Sequence, residues 1–160
     1  MIDAAGAFAA LPGQAARAGL RLSDAQVGQC QTYAAALIEA NRSVNLTAIT
    51  DPSAVAVKHF LDSFTAYAAR AWTGHERLVD VGSGAGFPGL ALRIALPDLV
   101  LTCVEATGKK ARAIEGFAKV SMARAFLPVA STHVRTRPGS AMRRARPGNP
   151  APLPTSTRRS

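Results

Sequence analysis

The hydrophobic positions of the chain fall into a few periodic segments. Ser23-Asp24-Ala25-Gln26 has the S-x-x-Q form of a capping box, and Val27, Cys30, Ala34, Leu37 and Ile38 then recur at helical spacing. This predicts a helix ending near Asn41. Asp51-Pro52 gives a second start, with Asp51 as N-cap and Pro52 at the first helical position. That helix carries Val55, Phe60, Leu61, Phe64, Tyr67 and Ala68 and fades before Trp72-Thr73-Gly74. The pattern then shortens. An apolar run at 78–81 predicts a buried strand, 90–96 an apolar helix, and 99–104 a second strand after the turn Pro97-Asp98. Thr107 to Arg112 opens a further helix, running to about Val120 with Ile114, Phe117 and Ala118 on its apolar face. Residues 1–20 are rich in Ala and Gly and carry little pattern.

Between the first strand and its helix lie four glycines in eight residues, Gly82, Gly84, Gly86 and Gly89. Strand, glycine turn and helix in that order make the first half of a nucleotide-type binding unit. Glycines without Cβ let the backbone turn sharply and let a ligand approach, and the helix that follows aims its N-terminal amides at that ligand. Pro88 suits the first turn of this helix, where a missing N–H costs nothing. Two ligands compete for the loop. Read as Asp80-x-Gly82-x-Gly84-x-Gly86, it resembles motif I of the class I S-adenosylmethionine-dependent methyltransferases. Read from Gly84 as G-x-G-x-x-G, it matches the dinucleotide fingerprint, ending at Gly89. Glu105, at the end of the second apolar run, stands where an acid takes ribose hydroxyls, and it serves either ligand. Asp80 favours the methyl donor, because the dinucleotide fingerprint has no need of it. The bland alternative is a strand-to-helix turn with no ligand.

The 160 residues are enough for one domain with a real core, and 48% of them are hydrophobic. No uninterrupted apolar run is long enough to span a bilayer. Asp3 stands where a secretory signal would be positive. Cys30 and Cys103 lie far apart without metal-ligand spacing and read as core thiols of a cytoplasmic protein, so no metal site is expected. The net charge of +9 is unevenly placed. Residues 1–120 hold 11 basic against 10 acidic side chains, whereas residues 121–160 hold eight Arg and no acid.

Four segments together carry a family resemblance: Asn45-Leu46-Thr47, Lys58-His59-x-x-Asp62-Ser63, the loop from Asp80 to Gly89, and Glu105-x-x-x-Lys109-Lys110. In order and spacing they resemble the ribosomal RNA small subunit methyltransferase G family, also called glucose-inhibited division protein B. The similarity covers roughly residues 20–120. It implies a cytoplasmic bacterial enzyme that transfers methyl from S-adenosyl-L-methionine to N7 of a guanine in 16S rRNA, with the small ribosomal subunit as partner. It also implies cofactor contacts at Asp80, Gly82, Gly84, Gly86, Phe87 and Glu105. No residue reads as a general base, which suits guanine N7, a free lone pair that needs no deprotonation.

Bland readings stand beside these. Lys58 and Asp62, four apart on a helix, make a weak surface pair; His59 and Ser63 share the spacing, so His59 is either a satisfied structural histidine or a ligand or RNA contact. Asn45 and Thr47 suit side-chain turns between helices. Lys109, Lys110 and Arg112 suit a solvated helix start or an RNA phosphate contact.

The resulting architecture is α/β: an incomplete class I methyltransferase (Rossmann-like) fold, with a helical cap at 1–75, a partial S-adenosylmethionine-binding α/β unit at 76–120 and a disordered basic tail at 121–160. A right-handed crossover is expected between two parallel strands. The tail has six Pro and eight Arg, and its Arg-Pro, Gly-Asn-Pro and Pro-Leu-Pro segments oppose regular structure. It resembles translation of a GC-rich gene out of frame; a genuine RNA-binding tail is the alternative. On the first reading the chain as given lacks walls around adenine and guanine, exposes an apolar strand edge, and does not methylate rRNA at a useful rate. A dinucleotide-binding Rossmann protein and a non-enzymatic basic RNA-binding protein are the rival functions.

Overall fold

A computed structural model of the chain describes residues 4–73, 75–122 and 130–132. Two short helices, α1 (Ala4–Phe8) and α2 (Leu11–Arg17), precede the long α3 (Asp24–Val44). The capping box forms: the Ser23 amide donates to Gln26 Oε1 at 2.8 Å, and the Gln26 amide donates to Ser23 Oγ at 3.3 Å. Helix α3 outlasts the expected end at Asn41 by three residues, because Asn45 closes it in the left-handed conformation at φ 51°. Asn41 instead organises the loop beyond. Its Oδ1 accepts the amides of Leu46 and Thr47, and its Nδ2 donates to the Thr47 carbonyl.

Asp51 caps the next helix as expected, accepting the Ala54 amide at 2.8 Å. Helix α4 (Pro52–Val55) continues through a π-helical turn, Ala56–Leu61, into α5 (Asp62–Thr65) and a 3-10 turn, Ala66–Ala69. The residues at the junctions keep right-handed helical angles, so the rod is unbroken. Its buried Val55, Phe60 and Phe64 join Phe8, Tyr33 and Leu37 in one core.

The α/β unit follows: β1 (Arg77–Val81), α6 (Gly89–Ala95), β2 (Val100–Val104) and α7 (Gly108–Ser121). Strands β1 and β2 are parallel, with Asp80 opposite Cys103. Helix α6 starts one residue earlier than the apolar run suggested, with Pro88 just ahead of it at the N-cap. The expectation that β1 is fully buried is corrected. Side chains alternate across a strand, and helices cover one face. Asp80, Leu101 and Cys103 are buried, whereas Val79, Val81 and Val100 are 58%, 77% and 40% exposed.

The stretch 121–160, expected to be disordered, lies outside the described residues except at 121–122 and 130–132. Ser121 and Met122 end or follow α7, and Ala130–Thr132 form β3, parallel to β2 in the order β1-β2-β3. A third strand was not foreseen there. Ala130–Thr132 is short, and Pro128 interrupts the apolar stretch that leads into it, residues 125–130.

Candidate methyl-donor site

The glycine loop rises from the end of β1 and is fastened to β2. The amides of Gly82 and Ser83 both donate to the Val104 carbonyl, at 2.8 and 3.2 Å. The Gly86 amide donates to the Ser83 carbonyl, and the Leu90 amide to Gly86, which folds the loop straight into α6. Gly82, Gly84 and Gly86 all have positive φ, at 76°, 57° and 95°.

The four glycines divide into two kinds. A Cβ at Gly82 would meet nothing within 4 Å, and one at Gly84 only the loop's own Gly82 carbonyl at 3.7 Å. These two line open space. A Cβ at Gly86 would collide with the Tyr33 hydroxyl and lie 2.8 Å from Leu90 Cδ1. One at Gly89 would lie 2.6 Å from Asp80 Oδ2 and 3.0 Å from Leu101 Cδ1. Gly86 and Gly89 are buried and serve the approach of helix to strand and of loop to core.

The two carboxylates also divide. Asp80 is 8% exposed, and its Oδ2 accepts the Gly89 amide at 3.1 Å. Burial pushes its carboxyl above the usual range, although the Gly89 amide and Ser83 oppose the shift. It faces the start of α6 and fixes the far end of the loop. Glu105, also buried at 9% exposed, sits beside Gly84. Its Oε2 accepts the Gly84 amide at 2.9 Å, and its Oε1 accepts the Thr107 amide at 2.7 Å. Burial raises its pKa, but the Thr107 and Gly84 amides, helped by the Thr107 hydroxyl and Lys110, outweigh this and hold it below the usual carboxylate range. The carboxylate is therefore ionised at neutral pH, and each oxygen keeps a lone pair for a hydroxyl donor.

Phe87 is half-buried in an aromatic stack. Its ring lies flat on Tyr33 (4.9 Å, 10°) and on His59 (4.7 Å, 14°). Beneath it the Tyr33 hydroxyl donates to the Ala85 carbonyl at 2.5 Å.

The sequence of residues 26–127 matches the family described as rRNA small subunit methyltransferase G. The chain belongs to that family. It is 51% identical over 94 residues to the ribosomal RNA small subunit methyltransferase G of Dehalococcoides mccartyi, covering 59% of this chain and 40% of the relative. It is 54% identical over 94 residues to that of Chloroflexus aggregans, covering 58% and 39%. It is 46% identical over 100 residues to that of Leuconostoc citreum, covering 61% and 42%. The chain thus matches about 40% of the length of these relatives. The methyltransferase G family is one of S-adenosylmethionine-dependent enzymes, and the mixed helix and parallel-strand architecture is that of an incomplete Rossmann-like methyltransferase fold.

Tyr33 was not singled out in the sequence, and Gln26 was read there only as the close of a capping box. Tyr33 lies on the apolar face of α3, where its spacing reads as core; its polar tip supports the loop. Gln26 closes the capping box and also donates from Nε2 to the Ile94 and Ala95 carbonyls, at 2.9 and 3.0 Å, tying the start of α3 to the end of α6. His59 is satisfied, though not through Ser63, whose hydroxyl donates to the His59 carbonyl at 2.6 Å. Its Nε2 lies 2.9 Å from Thr47 Oγ1, which also accepts the Ile49 amide. Thr47 thus makes the side-chain turn expected of it and holds the histidine as well. Lys58 and Asp62 form no ion pair with each other. Among the described residues no helix is long and apolar enough to cross a membrane.

Proposed function

We propose that the loop and Glu105 hold S-adenosyl-L-methionine, as the donor-binding part of a methyltransferase that modifies N7 of a guanine in 16S rRNA of the small ribosomal subunit, in the cytoplasm. One observation carries this reading. The two open glycines, Gly82 and Gly84, border free space, and an ionised carboxylate bonded to the Gly84 amide stands beside them. A backbone with no Cβ in the way can approach a ligand closely, and Glu105 can accept ribose hydroxyls. Phe87, with its ring stacked on Tyr33 and His59, offers the ligand its edge, and Gly86 and Asp80 act by shaping the loop. When bound, the cofactor supplies an electrophilic methyl group on a sulfonium. The chain's own residues need only bind, orient and exclude water, because guanine N7 already carries a lone pair. Transfer is then a matter of alignment, where misplacement by about 1 Å can cost roughly a hundredfold in rate.

The test is calorimetry with S-adenosylhomocysteine and with NAD. The expected result is binding of the first and not the second, with at least a tenfold loss in Glu105→Ala and abolition in Gly84→Val. Binding of NAD alone would replace this reading with the dinucleotide one. Binding of neither, with retained affinity for RNA in low salt, would favour a basic RNA-binding protein.

A further inference from the structure

The segment Lys58-His59-x-x-Asp62-Ser63 has no part in holding the methyl donor, yet it lines a cavity of about 300 Å³ together with Phe87 and Pro88. The cavity therefore shares Phe87 with the glycine loop. Its volume is at the small end of ligand sites, the scale of one base and not of an entire dinucleotide.

Its chemistry is mixed in a particular way. One wall is aromatic: the His59 ring lies against Phe87, and Thr47 fixes its orientation through Nε2. Around this stand a cation, Lys58, an anion, Asp62, and the Ser63 hydroxyl. Residues four apart on an α-helix normally meet. Here the π-helical turn Ala56–Leu61 interrupts that stacking, and Lys58 and Asp62, both exposed, make no ion pair with each other. Both charges are available at one cavity mouth. π-helical turns of this kind recur at functional sites.

We propose that this cavity is the acceptor pocket and takes a guanine nucleotide of the RNA, with the Asp62 carboxylate accepting from the base N1–H and N2–H2 and Lys58 meeting its phosphate. Guanine is the base whose Watson–Crick edge offers two adjacent donors to a carboxylate; adenine offers one donor beside an acceptor. Holding guanine by that edge leaves N7, on the opposite edge, free to face the Phe87 side shared with the glycine loop. The aromatic wall suits an unstacked base, as single-stranded RNA recognition requires. The inference rests on the methyl-transfer reading above for the identity of the acceptor, though not for the binding itself.

The experiment is an NMR titration of the full chain saturated with S-adenosylhomocysteine, using guanosine and adenosine 5′-monophosphates and following the rings of His59 and Phe87. The expected result is that the guanine nucleotide shifts both rings and binds at least tenfold more tightly than the adenine nucleotide. Asp62→Asn should remove that preference, and Lys58→Met should weaken both nucleotides. Neither change should alter S-adenosylhomocysteine affinity more than twofold. Both side chains are exposed, so both variants should fold, which the amide spectrum will verify. Equal binding of the two nucleotides, no shift at His59, or displacement by S-adenosylhomocysteine would overturn the proposal. Binding of the guanine nucleotide by a protein that fails to bind S-adenosylhomocysteine would leave the pocket standing and refute the methyl-donor site.

Discussion

Gly89→Ala should damage the fold more than Gly82→Ala, although Gly82 has the positive φ. The added Cβ at Gly89 would stand 2.6 Å from Asp80 Oδ2 and 3.0 Å from Asp80 Cβ and Leu101 Cδ1. Asp80 cannot yield cheaply, because the Gly89 amide itself donates to that Oδ2 at 3.1 Å. To admit the methyl group the buried carboxylate must leave its donor. Overpacking of this kind costs about 1–3 kcal/mol. Losing a hydrogen bond to a charged group costs about 1.5–3 kcal/mol more. Alanine recovers roughly 0.5–1 kcal/mol over glycine within a helix. The net loss is about 2–5 kcal/mol. At Gly82 the new Cβ meets nothing within 4 Å, and the penalty is the left-handed backbone alone, roughly 1–2 kcal/mol.

Urea unfolding separates the two. With a slope of about 1.5 kcal/mol/M, Gly89→Ala should lower the midpoint by roughly 1–3 M and Gly82→Ala by about 1 M. The collision has a named partner, so removing it should relieve the cost. In an Asp80→Ala background, Gly89→Ala should lose at least about 1 kcal/mol of its effect, a coupling expected of residues in contact. Equal midpoints for the two single variants, or strict additivity with Asp80→Ala, would refute the division of the glycines into packed and open kinds.

Other outcomes follow from the same geometry. Tyr33→Phe keeps the ring stack but strands the Ala85 carbonyl; it should cost about 1–3 kcal/mol in urea and weaken S-adenosylhomocysteine binding. His59 is held neutral: burial lowers its pKa from the ordinary 6.5 more than Asp62 raises it. Protonation therefore favours the unfolded chain, so this contribution is complete above about pH 6.5 and is lost as pH falls through the folded-state value. An NMR midpoint for His59 at or above 6.5, or an unchanged pH profile of the urea midpoint in His59→Asn, would contradict this. Val81→Lys, on the exposed face of β1, should change stability by no more than about 0.5 kcal/mol and should reduce self-association in sedimentation runs.

Local signals were legible where one residue type performs one local task. Ser23 and Gln26, Asp51 and Pro52, and the change of period at residue 78 all worked within a few residues of chain, and the structure carries each of them. The end of α3 was misplaced because Asn41 has partners that only the returning loop supplies, at Leu46 and Thr47. The half-exposure of β1 was invisible because an apolar run of four looks the same whether one face or two are covered. The π-helical turn left no mark in the composition, yet it decides that Lys58 and Asp62 line a cavity mouth without pairing.

The glycine loop shows why a motif is read more readily than its parts. Gly82, Gly84, Gly86 and Gly89 are one residue type at close spacing, and nothing in that pattern says which need the missing Cβ for a ligand and which for the protein. The answer depends on what stands opposite: Tyr33, 53 residues before Gly86 in the chain, Asp80 and Leu101 around Gly89, and open space at Gly82. The same holds for the acids. Asp80 and Glu105 stand near the ends of two strands that pair in parallel, and both are buried, but Asp80 accepts the Gly89 amide at the start of α6, whereas Glu105, one residue past β2, accepts the Gly84 amide. Strand alternation does not separate the two acids, since Glu105 follows Cys103 by two residues and is 9% exposed against 8% for Asp80; their partners do, the Gly89 amide for Asp80 and the Gly84 amide beside the open glycines for Glu105. Asp80→Asn, which keeps an oxygen acceptor for the Gly89 amide, should therefore retain most S-adenosylhomocysteine affinity, while Glu105→Gln, which loses the ionised acceptor beside Gly84, should lose at least tenfold. The reverse order in calorimetry would mean that Asp80 meets the ligand and that the loop rearranges to let it.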